Sequence, residues 1–265
     1  MPGMDGSGEL SREFAAALPE GSVAEVMRYP PDAWMPGREF AKSLMAGLPE
    51  GPFVLVAESY SVPLAVRIAA ARPQGLRGVV LSAGFCTSPL RGWRRWVVLR
   101  FAALLARVRL PDWGVRWLLA GDDAPLAVVD AVRSALSWVE PWVLAARGRE
   151  LMTCNVLAEL GRVQVPVLYL HGTQDRVVDP ECLEEMRDVH PGRTVAIDGP
   201  HLLAQRVIER RSAYAFSHGA EYKLPNGKLL LGCYHPSLRN TNTGRLNRPM
   251  FLRVFVQALE CSGLA

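Results

Sequence analysis

Phe53-Val54-Leu55-Val56-Ala57-Glu58-Ser59-Tyr60-Ser61 is the stretch on which the fold turns. Its first five residues are apolar and rich in valine, which predicts a short buried strand. The chain then continues through Leu64, Ile68 and Ala69 as a helix, with Pro63 in the first turn, where a missing N–H is tolerated. A serine on such a strand-to-helix turn exposes its hydroxyl at the carboxyl edge of a sheet. The helix N-terminus behind it supplies backbone N–H groups that can meet an oxyanion. Neighbouring backbones approach closely there, so the flanking positions must be small. Ala57 and Ser61 fill them where the usual pattern, G-x-S-x-G, has glycine. A buried serine starting a helix also fits a plain N-cap, so the turn by itself leaves both readings open.

Outward from this stretch, strand-like runs fall at 24–29, 78–82, 167–170 and 194–197. Helical patterns fall at 9–17, 38–46, 60–71 and 180–189. Strands alternating with helices predict an α/β domain with a parallel sheet. Residues 89–162 break that rhythm and read as several helices, with breaks near Pro111, Gly121, Pro141 and Gly148. This insert holds six of the seven tryptophans: Trp93, Trp96, Trp113, Trp117, Trp138 and Trp142. From Arg91 to Arg116 it carries seven arginines against one acid, Asp112. Either it forms an aromatic-lined acyl pocket or a basic amphipathic surface near lipid, or it is a set of ordinary amphipathic helices with solvated arginines.

An acid and a base complete the pattern. The strand at 167–170 runs into His171-Gly172-Thr173-Gln174-Asp175, and the strand at 194–197 into Asp198-Gly199-Pro200-His201. Ser59, Asp175 and His201 thus stand in chain order Ser, Asp, His, each at the carboxyl end of a predicted strand. Taken singly, Asp175 is a turn former and His201 a helix-entry residue. Asp198 is the alternative acid.

With these residues in place, positions 1–210 resemble the α/β-hydrolase family. The likeness rests on the Ala57-Glu58-Ser59-Tyr60-Ser61 elbow and the Leu170-His171-Gly172-x-x-Asp175 acid loop, and on Met1-Pro2-Gly3-Met4-Asp5-Gly6, which is similar to the family's oxyanion loop. The resemblance implies Ser59 as nucleophile, His201 as general base and Asp175 as its orienting acid. The N–H groups of Met4 and Tyr60 would form the oxyanion hole. It implies a small-molecule acyl substrate, a helical lid at 89–162 and no cofactor or metal. Family members place a strand just before the oxyanion loop, between those that here would be 24–29 and 53–57. The sequence therefore predicts an N-terminally truncated core, or a reading frame started at an internal Met. Either the flanking strands close up or the sheet carries a central defect.

Beyond about residue 213 the texture changes. Gly219, Pro225, Asn226 and Gly227 predict a hairpin-like turn, and residues 249–259 an amphipathic helix. Between them, Tyr234-His235-Pro236-Ser237, Asn240, Thr241 and Thr243-Gly244-Arg245-Leu246, followed by Met250-Phe251, resemble the second motif of family 5 uracil-DNA glycosylases. That likeness covers about residues 215–259 and implies a short α+β segment. In it His235 would stabilise a departing uracil anion, Pro236, Ser237 and Asn240 would belong to a DNA-contacting loop, and Arg245 would meet phosphate. The glycosylase's base pocket and cluster cysteines have no counterpart upstream.

The whole chain has 265 residues, 49% hydrophobic and 21% charged, a composition that excludes a disordered chain. Its net charge of +4 sits entirely in the tail: residues 1–212 balance to zero, whereas 213–265 hold six basic and two acidic residues. Nucleic acid is therefore a partner expected through the tail only. Five scattered cysteines (Cys86, Cys154, Cys182, Cys233 and Cys261) predict neither a disulfide framework nor a metal knuckle, and point to a reducing, cytoplasmic setting. No signal peptide or membrane span is visible. The expected organisation is hydrolase core at 1–88, helical lid at 89–162, core again at 163–212 and glycosylase-like fragment at 213–265. Three functions follow: a serine hydrolase of ester-type bonds, a glycosylase fragment or DNA-binding remnant, or a hydrolase fold without activity.

Overall fold

The computed structural model describes residues 1–16, 18, 23–202, 221–223, 229–231, 249 and 252–253. Four of the expected strands form: β1 (Phe53–Glu58), β2 (Leu76–Ser82), β3 (Val167–Gly172) and β4 (Arg193–Ile197). They make one parallel sheet in the order β1-β2-β3-β4. Because neighbours in the sheet follow one another in the chain, each strand delivers its carboxyl end to the same edge. That edge carries Ser59, Asp175 and Asp198.

The chain divides into two units, Met1–Val207 and Ile208–Ala265. In the first, helices α1 (Arg12–Ala16), α2 (Gly37–Met45) and α3 (Ser61–Ala70) precede and follow β1. A 3-10 turn, Glu9–Ser11, leads into α1. The insert between β2 and β3 comprises α4 (Gly92–Leu105), α5 (Asp112–Val115), a π-helical turn (Arg116–Ala120), α6 (Leu126–Ser137), α7 (Pro141–Met152) and α8 (Leu157–Leu160). Helix α9 (Glu181–Val189) joins β3 to β4. The main core gathers Leu55, Ile68, Leu81, Leu160, Tyr169 and Met186 from the sheet and its helices. A smaller cluster inside the insert is built on Val115, Val129 and Val132.

Two expectations are corrected. Residues 24–29 form no strand. Val26, Met27 and Tyr29 favour extended backbone, but a ladder needs a partner, and none of the four strands pairs with them; Tyr29 N–H instead bonds Gly6 O at 2.9 Å. Gly148 does not break the insert. It lies inside α7, whose packing against α4 outweighs the ~1 kcal/mol that glycine costs in a helix. The breaks near Pro111 and Gly121 do occur, and Pro141 opens α7 at a position that needs no N–H.

The two flanking segments do not close up into a ladder. Beside β1 runs the start of the chain: Met1 N donates to Val56 O at 2.8 Å, and Glu58 N donates to Met1 O at 3.2 Å. This is one rung of parallel pairing. It satisfies the carboxyl half of β1, while Val54 further back stays half exposed.

In the second unit, β5 (Glu221–Lys223) and β6 (Leu229–Leu231) pair antiparallel, with Glu221 opposite Leu231, as the hairpin reading requires. Pro249, Leu252 and Arg253 are helical within the expected terminal helix. The turn residues Gly219, Pro225, Asn226 and Gly227 and the whole motif containing His235, Pro236, Ser237, Asn240 and Arg245 lie outside the described residues, as do Cys233 and Cys261.

Gly75 sets the register between β1 and β2. Its φ is +89°, a Cβ there would lie 2.3 Å from Gly51 O, and its own carbonyl accepts from Phe53 N at 2.9 Å. Gly75→Ala is expected to destabilise the fold by roughly 1–3 kcal/mol, from left-handed strain and backbone overlap together. Urea denaturation checks this; a midpoint equal to the parent's contradicts it.

Candidate active site

Ser59 ends β1 and its backbone sits at φ +50°. A non-glycine residue in this region carries strain on the order of 1–3 kcal/mol, so the surroundings must impose it. They do: Ser59 N–H bonds Ser82 O at 2.9 Å on the next strand, and Val62 N–H bonds Ser59 O at 3.0 Å to start α3. Close packing explains the small residues around the turn. A Cβ on Gly84 would approach Val62 Cγ2 to 2.9 Å.

Three side chains from three strand ends meet there. His201 Nε2 lies 2.9 Å from Ser59 Oγ, and His201 Nδ1 lies 2.8 Å from Asp175 Oδ2. The imidazole is buried. Asp175 Oδ1 accepts from Val177 N at 2.8 Å and Val178 N at 3.0 Å, which fixes the carboxylate toward the ring. Burial pushes the Asp175 carboxyl up, but the His201 hydrogen bond and charge and the two N–H donors outweigh it and hold it below its ordinary range. Asp198 is engaged elsewhere, accepting from Gln174 Nε2 at 2.9 Å and Thr173 Oγ1 at 3.3 Å.

The loop Met1–Ser7 lies beside Ser59 and is held by side chains that the sequence did not mark. Gly6 N–H turns back to Gly3 O at 3.1 Å. The Asp5 carboxylate accepts from Ser7 N at 2.9 Å and from the Ser7 hydroxyl. Ser61, read from the sequence only as a small neighbour, donates its hydroxyl to Pro2 O and accepts from the Tyr29 hydroxyl at 2.5 Å. Arg147, reaching down from α7, is 1% exposed. Its guanidinium donates to Met4 O at 2.8 Å, Asp5 O at 3.4 Å and Pro30 O at 2.9 Å. It also stacks near the Tyr29 and Tyr60 rings, at 5.8 and 5.6 Å. Burial lowers its pKa, while Tyr60, Tyr29, Asp5 and Glu150 oppose that, and guanidinium basicity keeps it a cation.

Among the described residues, neither Met4 N–H nor Tyr60 N–H donates a hydrogen bond. Met4 borders the same cavity as Ser59 and His201. Tyr60 follows Ser59 directly, and its hydroxyl reaches away to Glu150 at 3.1 Å. Glu58 also borders the cavity. Burial pushes its carboxyl up, opposed by the charge of His201.

The cavity above Ser59 has a volume of about 1160 Å3. Aliphatic side chains of the insert line it, including Val98, Leu105, Leu118 and Leu144. Of the readings left open for the insert, the aromatic-lined pocket is not the one formed. No tryptophan borders the cavity, Phe85 is the one aromatic among the described lining residues, and all six insert tryptophans are exposed. Nor are the arginines simply solvated: Arg94, Arg95, Arg107 and Arg116 donate to backbone carbonyls, and Arg91 pairs with Glu185 at 2.6 Å.

The family model described as serine aminopeptidase, S33 matches residues 37–197, more than half of the chain. The chain belongs to the α/β-hydrolase family. Ser59 and Asp175 fall within the matched residues, and His201 follows just after them. Solved α/β hydrolases superpose accordingly. A hydrolase from Oleispira antarctica aligns at TM-score 0.59 and 12% identity, covering 77% of this chain and 83% of that one. An esterase from Thermogutta terrifontis aligns at TM-score 0.58 and 19% identity, covering 80% and 83%. At such identities the likeness is one of fold. Curated relatives point to the other resemblance. The type-5 uracil-DNA glycosylase of Thermus thermophilus is 54% identical over 55 residues, 21% of this chain and 25% of that protein. The Mycobacterium leprae enzyme of the same name is 47% identical over 49 residues. The chain thus spans about a quarter of the curated relatives it matches.

Replacing Arg147 by Met removes the side-chain donor from the carbonyls of Met4, Asp5 and Pro30. The hydrolase is then expected to lose roughly 2–4 kcal/mol of stability, and the hydrogen-bonded Gly6 and Ser7 amides of the loop to exchange hydrogen faster than in the parent. Exchange measured by mass spectrometry decides it; unchanged protection of the loop contradicts the assignment. Asp175 gives a pH signature. Its folded pKa is depressed, so its contribution to stability is present above about pH 4 and is lost as pH falls through the lower folded value. Asp175→Asn should lower the melting temperature near neutrality, and the gap from the parent should close in strong acid.

Proposed function

We propose that the chain is a serine hydrolase that cleaves an ester or related acyl bond through Ser59, His201 and Asp175. The observation that carries this reading is the pair of contacts at 2.9 and 2.8 Å linking Ser59 Oγ, His201 and Asp175 at the floor of an aliphatic cavity. His201 Nε2 takes the Ser59 proton as Oγ adds to the acyl carbon. Asp175 holds the Nδ1–H tautomer and balances the imidazolium. The oxyanion is met by the N–H groups of Met4 and Tyr60, which donate to no other group among the described residues. Collapse expels the leaving alcohol with the proton from His201. Water, deprotonated by His201, then adds to the acyl-enzyme, and the acid departs as Ser59 recovers its proton. The cavity's volume and lining fit an extended apolar acyl group.

A second reading rests on the 54% identity over 55 residues to a type-5 uracil-DNA glycosylase. The basic tail would contact DNA through His235, Pro236, Ser237, Asn240 and Arg245, independently of the hydrolase site. The core would remain a hydrolase in either case.

Labelling by a fluorophosphonate probe is expected for the parent and absent in Ser59→Ala. With p-nitrophenyl esters of increasing acyl length, Ser59→Ala and His201→Ala should each lower kcat by about 10³-fold or more. Folded parent protein that neither labels nor turns over any ester would make this an inactive hydrolase fold. Turnover of aminoacyl p-nitroanilides in preference to esters would replace the ester reading by a peptidase one. For the tail, salt-sensitive binding of single-stranded DNA that weakens in Arg245→Ala is expected; binding without uracil release leaves the tail a contact surface only.

A further inference from the structure

We propose that the outward side of α4 is a docking surface for an anionic lipid bilayer. Successive residues of a helix turn by about 100°. That rotation puts Trp93, Trp96, Val97, Arg100, Phe101 and Leu104 on one face of α4. All but the half-buried Val97 are exposed, Trp93 to 74% and Leu104 to 61%. Trp96 packs edge-on against Phe101 at 5.9 Å, and the Arg100 guanidinium lies 6.0 Å above the same ring. On the opposite side Ala102 is buried, and Val98 and Ala102 wall the cavity. The helix thus has apolar side chains on both sides, and those of its outward side meet solvent, a condition that water does not favour.

The chemistry of the face selects its occupant. Tryptophan is the side chain that rests best at a bilayer interface, with an apolar body and an N–H for headgroups. Around it residues 91–116 carry seven arginines and one acid, and that acid, Asp112, is paired with Arg133 at 2.5 Å. Acidic headgroups complement this charge. A polynucleotide would require a row of free cations, but Arg94 and Arg95 are turned to backbone carbonyls at 2.7 Å and leave Arg100 as the cation centred on the face. Trp113, Trp117, Trp138 and Trp142 are likewise exposed on the other insert helices. Since α4 both meets the bilayer and walls the cavity, an acyl ester could pass from lipid to Ser59 along one helix. That last step rests on the proposed ester hydrolysis; the docking does not.

Sedimentation of the full chain with phosphatidylcholine vesicles, with and without phosphatidylglycerol, tests the surface. Binding to the anionic vesicles is expected, weakening as salt rises. Trp93→Ser/Trp96→Ser should reduce partitioning by about tenfold or more, and Arg100→Glu should reduce it on anionic vesicles specifically. The melting temperature is expected to remain at the parental value, which separates lost docking from lost fold. Absence of vesicle binding overturns the proposal, as does binding unchanged in both variants, which would assign it to another part of the chain. A concentration-dependent dimer broken by the same substitutions also overturns it, making the face an interface between copies. Fluorophosphonate labelling run in parallel reads the hydrolase site separately, so failure of that site and failure of docking are told apart.

Discussion

A buried guanidinium that gives its hydrogen bonds, among the described residues, to backbone carbonyls braces the loop beside Ser59. Arg147 spends its donors on the carbonyls of Met4, Asp5 and Pro30. Desolvating a cation is expensive, and carbonyl dipoles with two aromatic faces are what offset it here. The consequence is mechanical. Three chain segments far apart in sequence, the opening loop, the stretch ending at Pro30 and α7, are tied at one atom group. This tie and the Ser61–Pro2 hydrogen bond support the loop next to Ser59, together with the pairing of Met1 with β1.

The arrangement also makes the insert more than a cover. Helix α7 both lines the cavity and steadies the loop that borders the nucleophile candidate. Movement of the insert would therefore be felt at Met4 and Asp5. The insert's two surfaces divide its residues by size: aliphatic side chains fill inward, and the indoles remain outside. The insert thus braces the opening loop with one of its helices and presents exposed indoles on its outer face.

Strand positions, helix positions and the three residues Ser59, Asp175 and His201 were legible because each depends on local sequence. A run such as Val167-Leu168-Tyr169-Leu170 encodes its own extended, buried state, and the residue after a parallel strand must emerge at the carboxyl edge. The same logic failed for residues 24–29. Their composition favours a strand, but a strand exists only if another backbone stands opposite, and that is not a property of the segment. Gly148 failed similarly, since α4 decides whether α7 runs through it.

The sequence by itself determined the α/β class, the order of the elements, the three candidate residues and the two resemblances that the chain carries. These are carried by hydrophobic period, chain order and motif, all of which are one-dimensional. Only the tertiary structure decided what holds the opening loop and which way the tryptophans face. Arg147 is one arginine of 27, with nothing in its neighbours to set it apart. Its role arises from contacts across more than a hundred residues. The inward or outward side of an insert helix is likewise fixed by what packs against it. Long-range contact leaves no local period to read, and that is why the sequence named the candidate residues but not the groups packed around them.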